Sequence, residues 1–392
     1  MDSKVIVLFN HKGGVSKTTT TYHVGWKLTE YGKKVLLVDG DPQCNLTSLL
    51  LGEYFDEYYT NSQTSKNNIK DAVKMAFEGK PRPICAIDCF SPTDNSNLFI
   101  IPGHMDLSEY DPALSLALNS NNAITTLQNL PGAFYELIRL CCEKYKIDYV
   151  LIDMNPGLSA INQTFFMISD GFIVPTNPDP FSVMSLKTLK NVLPRWKNWA
   201  VHSREAFADS AYPLPESSMK FIGEIIQRFN LRNQRAARPY QGKIQEIKDY
   251  IEGELCGTLE KNDMLFDNST LKSEGILTDH CLAEISEFGA LIQKANAASR
   301  PVFALTPAQL EATGTVLDSM IVSQQRFNTE FNRIAKVILE LVKWLVVLLF
   351  LKRLSKKREI PVAYIVTCKM LYTHHMIIVI CCGGSGRKVS QL

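Results

Sequence analysis

Near the amino end, two lysines, two glycines and a threonine have the spacing of an oxyanion-binding loop. Residues 5–9 read VIVLF, a short apolar run. Residues 10–17 read NHKGGVSK, and Thr18 opens a segment of helical character. Strand, glycine-containing loop and helix start, in that order, aim main-chain N–H groups and the positive end of the helix dipole at one point. Phosphate oxygens bind at such points. Gly13 and Gly14 let the backbone approach the anion and take φ > 0 without a Cβ clash. Val15, Ser16, Lys17, Thr18 and Thr19 carry the N–H groups of the loop and first helical turn. Lys17 has the reach to touch the β- and γ-phosphates of a nucleotide, and the Thr18 hydroxyl is placed to ligate Mg²⁺.

Two further segments put carboxylates at strand ends. Residues 33–45, KKVLLVDGDPQCN, run from a strand into Asp39 and Asp41. If residues 35–38 are buried, both aspartates emerge at the carboxyl edge of a sheet, beside the loop. Either one can instead cap the helix that follows. In residues 148–159, DYVLIDMNPGLS, four apolar or aromatic residues end in Asp153, whose carboxylate would hold Mg²⁺ through water. Phosphoryl transfer needs little beyond such positioning and charge neutralisation.

The elements that must hold these groups are also visible. Apolar runs at 5–9, 34–38, 98–101, 149–152, 171–174, 221–226 and 301–305 are continuous and not alternating. That is the pattern of parallel strands covered on both faces. Helix-length segments lie between them, such as 18–31 with Gly32 as its C′ residue. The chain therefore predicts an α/β fold with a doubly wound, mostly parallel sheet flanked by helices. Residues 1–343 read as one domain. Within it 52–97, polar and rich in Asn, Ser and Tyr, read as an edge insertion holding one helix near 70–78. Residues 344–392 form an apolar and basic tail.

Composition sets the remaining bounds. With 392 residues, 45% of them hydrophobic, the chain is large enough for a substantial core, which excludes a disordered tail protein or a small disulfide scaffold. A net charge of +2 means that any nucleic-acid surface must be a local patch. Residues 185–248 hold such a patch, twelve Lys and Arg against five acids. Arg228, Arg232, Arg235 and Arg238 recur every three or four residues and predict one helix face that attracts DNA phosphates, or else a solvated or protein-partner face. The ten cysteines include no CxxC pair, which fits a reduced, cytoplasmic setting. His104, His202 and His280 stand singly and suggest no function.

The loop KGGVSKTTTT has the pattern Lys-Gly-Gly-x-x-Lys-Thr and resembles the deviant Walker A loop of the ParA/MinD family of P-loop ATPases, most nearly the ParA/Soj partition type. The resemblance implies ATP and Mg²⁺ as ligands and an ATP-bound homodimer in which Lys12 reaches the partner subunit's phosphates. It implies that Asp41 orients and activates the attacking water, that Asp39 supports the magnesium shell, and that Gln227 lies near the adenine. No Asn-Lys-x-Asp motif is present, which favours ATP over GTP. Most relatives have glycine where Ser16 stands; the backbone tolerates serine there if its φ is negative, and the departure bears on the rate more than on binding. Asn155 replaces a proline in the segment that follows Asp153. The implied role is plasmid or cargo partitioning and chromosome segregation: non-specific DNA binding by the ATP dimer, at the nucleoid, with a ParB-like protein stimulating hydrolysis. Alternatives are a membrane-associated MinD-like switch acting through the tail, and a nucleotide-gated binding module with slow hydrolysis. For the tail itself, a domain-closing helix followed by a poorly ordered extension is the expectation.

Overall fold

The computed structural model describes residues 3–120, 127–232, 235–266, 279–356, 368–373, 376–381 and 388–391. The chain separates into two compact units, Met1–Ile338 and Leu339–Leu392.

The first unit is built on a sheet of β1 (Lys4–Leu8), β2 (Val35–Gly40), β3 (Leu98–Ile101), β4 (Tyr149–Met154), β5 (Gly171–Thr176) and β6 (Lys220–Gln227). After a two-strand hairpin of β7 (Leu231–Arg232) and β8 (Arg235–Ala236), β9 (Cys281–Ile285) completes it. The seven strands lie in the order β3-β2-β4-β1-β5-β6-β9. Every neighbouring pair is parallel. β2, β4, β5 and β6 are buried along their whole length, the reason their residues are apolar on both faces.

The last strand corrects an expectation. Residues 301–305 do not enter the sheet. Pro301 has no N–H to donate, and its carbonyl closes a 3₁₀ turn, Val302–Ala304, by accepting from the Ala304 N–H at 2.9 Å. The edge place is taken by Cys281–Ile285, a run masked in sequence by the exposed Glu284.

Helices connect the strands: α1 (Lys17–Glu30), α2 (Asn45–Leu51), α3 (Phe55–Thr60), α4 (Ile69–Phe77), α5 (Asp111–Asn119), α6 (Ala133–Tyr145) and α7 (Ala160–Met167). Then come α8 (Pro180–Ala206), α9 (Arg238–Tyr250), α10 (Cys256–Lys261), α11 (Ala290–Ala297), α12 (Pro307–Leu310) and α13, which begins at Gly314 and runs to Lys356. α1 ends as anticipated, with Gly32 at φ 73° donating to the Thr29 carbonyl. It lies so close to β2 that a Cβ on Gly25 would sit 2.6 Å from Leu37 Cδ2. On its outer side His23 stacks on Phe331 of α13, ring centres 4.8 Å apart. Thr19 O accepts at His23 Nδ1 and the Val302 N–H donates to Nε2, so the ring is held neutral; burial pushes its pKa down to about 4. The opposite face of the sheet is covered by α4 to α9 around Phe134, Phe165, Phe172 and Trp196. The 52–97 segment packs α4 into this core through Ile69 and Val73, next to the edge strand β3.

The second unit holds the last part of α13 and a three-stranded antiparallel sheet of Cys368–Thr373, Met376–Cys381 and Lys388–Gln391. Part of the basic cluster 352–358 lies outside the described residues. Among the described residues no helix is long and apolar enough to cross a membrane.

Candidate functional site

β1 occupies the middle of the sheet, so the loop that follows it is ringed by the carboxyl ends of its neighbours. Register aligns Leu8 of β1 with Asp153 of β4, and Asp153 in turn with Asp39 of β2. Three segments far apart in sequence are thus brought to one edge by strand pairing alone. They border a cleft of 640 Å³ lined by Gly13 to Thr19, Asp41, Pro156, Arg228 and Phe288 among others.

The loop is held by groups from several strands. Asn10, fully buried, donates to the Pro175 carbonyl at 2.9 Å and accepts from the Lys12 N–H at 3.0 Å. The Gly14 carbonyl accepts from Arg228 Nη1 at 2.9 Å and from Asn177 Nδ2 at 3.0 Å. The Gly157 N–H, after β4, donates to the His11 carbonyl at 3.0 Å. Lys17 is 6% exposed, and its Nζ donates to the carbonyls of Asn10 and Lys12 at 2.9 and 3.1 Å. Burial lowers the Lys17 pKa, opposed by the charges of Asp153 and Asp41.

Gly14 has φ 71°, the left-handed conformation for which glycine is suited. Ser16, the N-cap of α1, has φ 58° and ψ 31°. The condition for serine to sit there without strain, a negative φ, is therefore not met: the chain turns left-handed as it enters α1. A non-glycine residue held there costs on the order of 1–3 kcal/mol, against about 0.5–1 kcal/mol for the extra entropy glycine loses on folding. Ser16→Gly should accordingly raise stability by about 1 kcal/mol. The denaturation midpoint in urea measures it; a lowered midpoint would show that the serine hydroxyl matters more than the strain.

Asp153 is 1% exposed, and neither carboxylate oxygen has a hydrogen-bond partner of good geometry among the described residues. Burial, then the charge of Asp39, pushes its pKa up to about 8, while the nearby Thr18 hydroxyl and Lys17 pull the other way. A buried carboxylate without partners beside a threonine hydroxyl is a fitting place for a small oxygen-seeking cation, so the residues present suit Mg²⁺. Asp39 is differently placed. Its Oδ2 accepts from the Thr47 N–H at 2.8 Å and hydroxyl at 2.6 Å, and its Oδ1 from the Asp41 N–H at 3.2 Å. Burial raises its pKa to about 6 despite these bonds. The carboxylate is engaged in shaping the turn that carries Asp41. Asp41 itself accepts from the Gln43 N–H at 3.0 Å and faces the cleft.

Three site residues sit in surroundings the sequence did not disclose. Lys12 does not line the cleft; its Nζ is ion-paired with Asp179, the N-cap of α8, and donates to Ser182 Oγ at 3.2 Å. Gln227 borders the cleft but is 1% exposed, with its Nε2 donating to Thr20 Oγ1 at 2.7 Å. Its amide props α1 from behind, and the open end of the cleft is walled instead by Phe288, Ile292 and Asn296. Asn155 accepts from Asn162 Nδ2 through both its carbonyl and its side-chain oxygen, each at 2.9 Å. These bonds tie the segment after β4 to α7.

The arginines do not share a helix face. Arg228 follows β6 with φ 64° and bonds to the loop; Arg232 and Arg235 pair across the β7–β8 hairpin; Arg238 is the first residue of α9. Their spacing matched a helix, but a hairpin occupies the middle of the segment. Arg232, Arg235 and Arg238 are all exposed.

Residues 3–202 match the AAA_31 family, described as an AAA domain. The chain belongs to this family, as a P-loop ATPase of the ParA/MinD type. It is 33% identical over 230 residues to the uncharacterized protein Rv1708 of Mycobacterium tuberculosis, covering 58% of this chain and 64% of that protein. The chain thus spans just under two thirds of that relative's length. It is 28% identical over 279 residues to the virulence plasmid ParA family protein pGP5-D of Chlamydia psittaci, covering 70% of this chain and 86% of the relative. In fold it is similar to a putative plasmid partition protein of Borrelia burgdorferi bound to AMPPNP, with TM-score 0.51 and 20% identity over 86% of this chain and 99% of that one.

Proposed function

We propose that the chain is an Mg²⁺-dependent ATPase that switches between a monomer and an ATP-bound homodimer and serves in DNA or plasmid partitioning in the cytoplasm. The observation that carries this reading is that Lys17 and Asp41 line one cleft beneath a loop suited to phosphate, with the buried Asp153 aligned beside Asp39 at the same sheet edge. Lys17 would exchange its two loop carbonyls for β- and γ-phosphate oxygens. Thr18 and Asp153 would hold Mg²⁺, with Asp39 behind them; the ion neutralises phosphate charge. Asp41 would accept a hydrogen bond from the attacking water and align it, the step that positioning alone accelerates most. Lys12 would leave Asp179 and reach the phosphates of a second copy.

The relatives support the biological half of the reading, since a plasmid ParA family protein and a plasmid partition protein are among the similar chains. Exposed Arg232, Arg235 and Arg238 would bind DNA phosphates without reading bases, and a ParB-like protein would stimulate hydrolysis.

Asp41→Ala tests both halves. It should retain ATP, run at twice the monomer mass in light scattering with ATP and Mg²⁺, and hydrolyse nothing. That trapped dimer should bind random duplex DNA with a log–log salt slope that flattens by roughly 2.7 when the three arginines become alanine, about 0.9 for each lost phosphate contact. Normal hydrolysis by Asp41→Ala would remove the assigned catalyst. An unchanged slope would remove DNA from the proposal and leave the ATPase.

A further inference from the structure

Glu252, Cys256 and His280 lie up to 28 residues apart in sequence and meet toward the amino ends of β6 and β9, away from the phosphate loop. His280 Nδ1 is 2.6 Å from Glu252 Oε1 and 3.5 Å from Cys256 Sγ, and the three ligand atoms lie within 4.8 Å of one another. The same Glu252 oxygen accepts from the His280 main-chain N–H at 2.8 Å, which fixes the carboxylate against the start of β9.

The backbone explains the meeting. Between α9 and α10 the chain makes a π turn, Ile251–Leu255, from whose start and end Glu252 and Cys256 project towards His280. Such turns inside α-helices are frequently found at functional sites. The imidazole is held against Phe221, ring centres 5.7 Å apart and planes 21° from parallel.

A second observation concerns charge and unmet bonding. Glu224 of β6, whose N–H donates to the His280 carbonyl at 2.8 Å, is 1% exposed. Its Oε2 has no partner among the described residues, and neither has the buried Nε2 of His280. The buried Glu224 carboxyl is close enough to act on Cys256, and the free Nε2 of His280 is able to carry the ring proton when Nδ1 takes a cation.

We propose that Glu252, Cys256 and His280 bind a divalent transition ion of the zinc class, with water in the fourth position. The ligand set selects the ion: thiolate and imidazole suit zinc, whereas Mg²⁺ and Ca²⁺ take oxygen. At metal–ligand distances of about 2.0–2.3 Å, tetrahedral ligands stand roughly 3.3–3.7 Å apart, so the Glu252–His280 pair opens and the Cys256–His280 spacing already fits. Binding releases the Cys256 thiol proton, while His280 ligates as the neutral imidazole, Nδ1 on the ion and the ring proton on Nε2, which has no other partner among the described residues. The ion would clip the α9–α10 corner to the head of β9, the strand that leads to Phe288 in the wall of the nucleotide cleft.

The test uses the full chain, freed of metal and titrated with Co²⁺ as a spectroscopic stand-in. A single Co²⁺ per chain is expected, giving a thiolate-to-cobalt charge-transfer band and tetrahedral visible bands, both discharged by Zn²⁺. Cys256→Ser should abolish the charge-transfer band, and His280→Gln should weaken Co²⁺ binding by about tenfold or more. A wild-type spectrum without the thiolate band overturns the site outright. So does a band that survives Cys256→Ser, since it would come from another of the cysteines. Should Cys256→Ser fail to fold by circular dichroism, Glu252→Gln at its exposed position decides: a retained band with weakened affinity supports the site, and unchanged affinity overturns it.

Discussion

Lys17→Ala should lose nucleotide binding itself as well as turnover. The buried ammonium donates to the Asn10 and Lys12 carbonyls and sits within the field of Asp153 and Asp41. Two charge-assisted bonds to phosphate, at roughly 1.5–3 kcal/mol each, correspond to an affinity loss on the order of 10²–10⁴. The loss is compounded because alanine leaves the two acidic groups without their neutralising neighbour, next to an incoming polyanion. Equilibrium titration with a fluorescent ATP analogue measures it. An affinity that stays near the wild-type value would mean that main-chain N–H groups alone hold the phosphates, and Lys17 would lose its assigned role.

Asp153→Asn should do the opposite of most buried substitutions and stabilise the nucleotide-free chain, while ending Mg²⁺-dependent hydrolysis. Burial and the Asp39 charge make the ionised carboxyl unfavourable there, and a neutral amide of the same shape removes the cost of burying that charge, on the order of 1–3 kcal/mol. The sign with pH follows from its raised pKa. A carboxyl that titrates at about 8 in the fold and 3.8 in the reference state takes up a proton on folding. It therefore favours the fold below the lower value and loses that effect progressively until pH passes the higher one. The gain from Asp153→Asn should then be larger at pH 8 than at pH 6, in metal-free buffer. His23, lowered to about 4, acts in the opposite direction but is common to the two proteins and cancels in the difference; Asp39, raised to about 6, acts in the same direction, and its repulsion with Asp153 is removed in the variant, which adds to the gain at pH 8. Urea midpoints at the two pH values test it. A variant less stable than wild type at both would show that the carboxylate has favourable contacts in the free chain.

What could be read beforehand, and what could not, divides by the range of the interaction. The order strand, loop, helix around Lys17 and Thr18 is local, and buried parallel strands announce themselves as unbroken apolar runs, so β1, β2 and β4 and the acids at their ends were recognisable. β9 was not, because it is five residues long with the charged Glu284 pointing outward from it. Ser16 could not declare its φ, since nothing in its own chemistry asks for a left-handed turn. Arg228 looked like one cation in a basic run, and only its position after β6 makes it a support of the Gly14 carbonyl. The resemblance places Gln227 near the base; it borders the cleft, while its amide is held by Thr20, a partner that only tertiary packing supplies. The Arg232 to Arg238 spacing fits a helix as well as a hairpin, a choice that short polar segments leave to the surrounding fold.

The phosphate loop is made well before the segments that finish it. Its supports come from Pro175, Asn177 and Arg228, more than 160 positions later, and the wall of its cleft from Phe288. A nascent chain that has emerged only as far as β5 already carries Lys17, Asp41 and Asp153 but has neither the Arg228 support nor that wall. Contacts of such sequence separation form slowly. During synthesis, then, nucleotide should not act as a template for folding. It should engage only when the final third of the sheet has closed, so that ATP reports on completion of the domain and cannot hasten it.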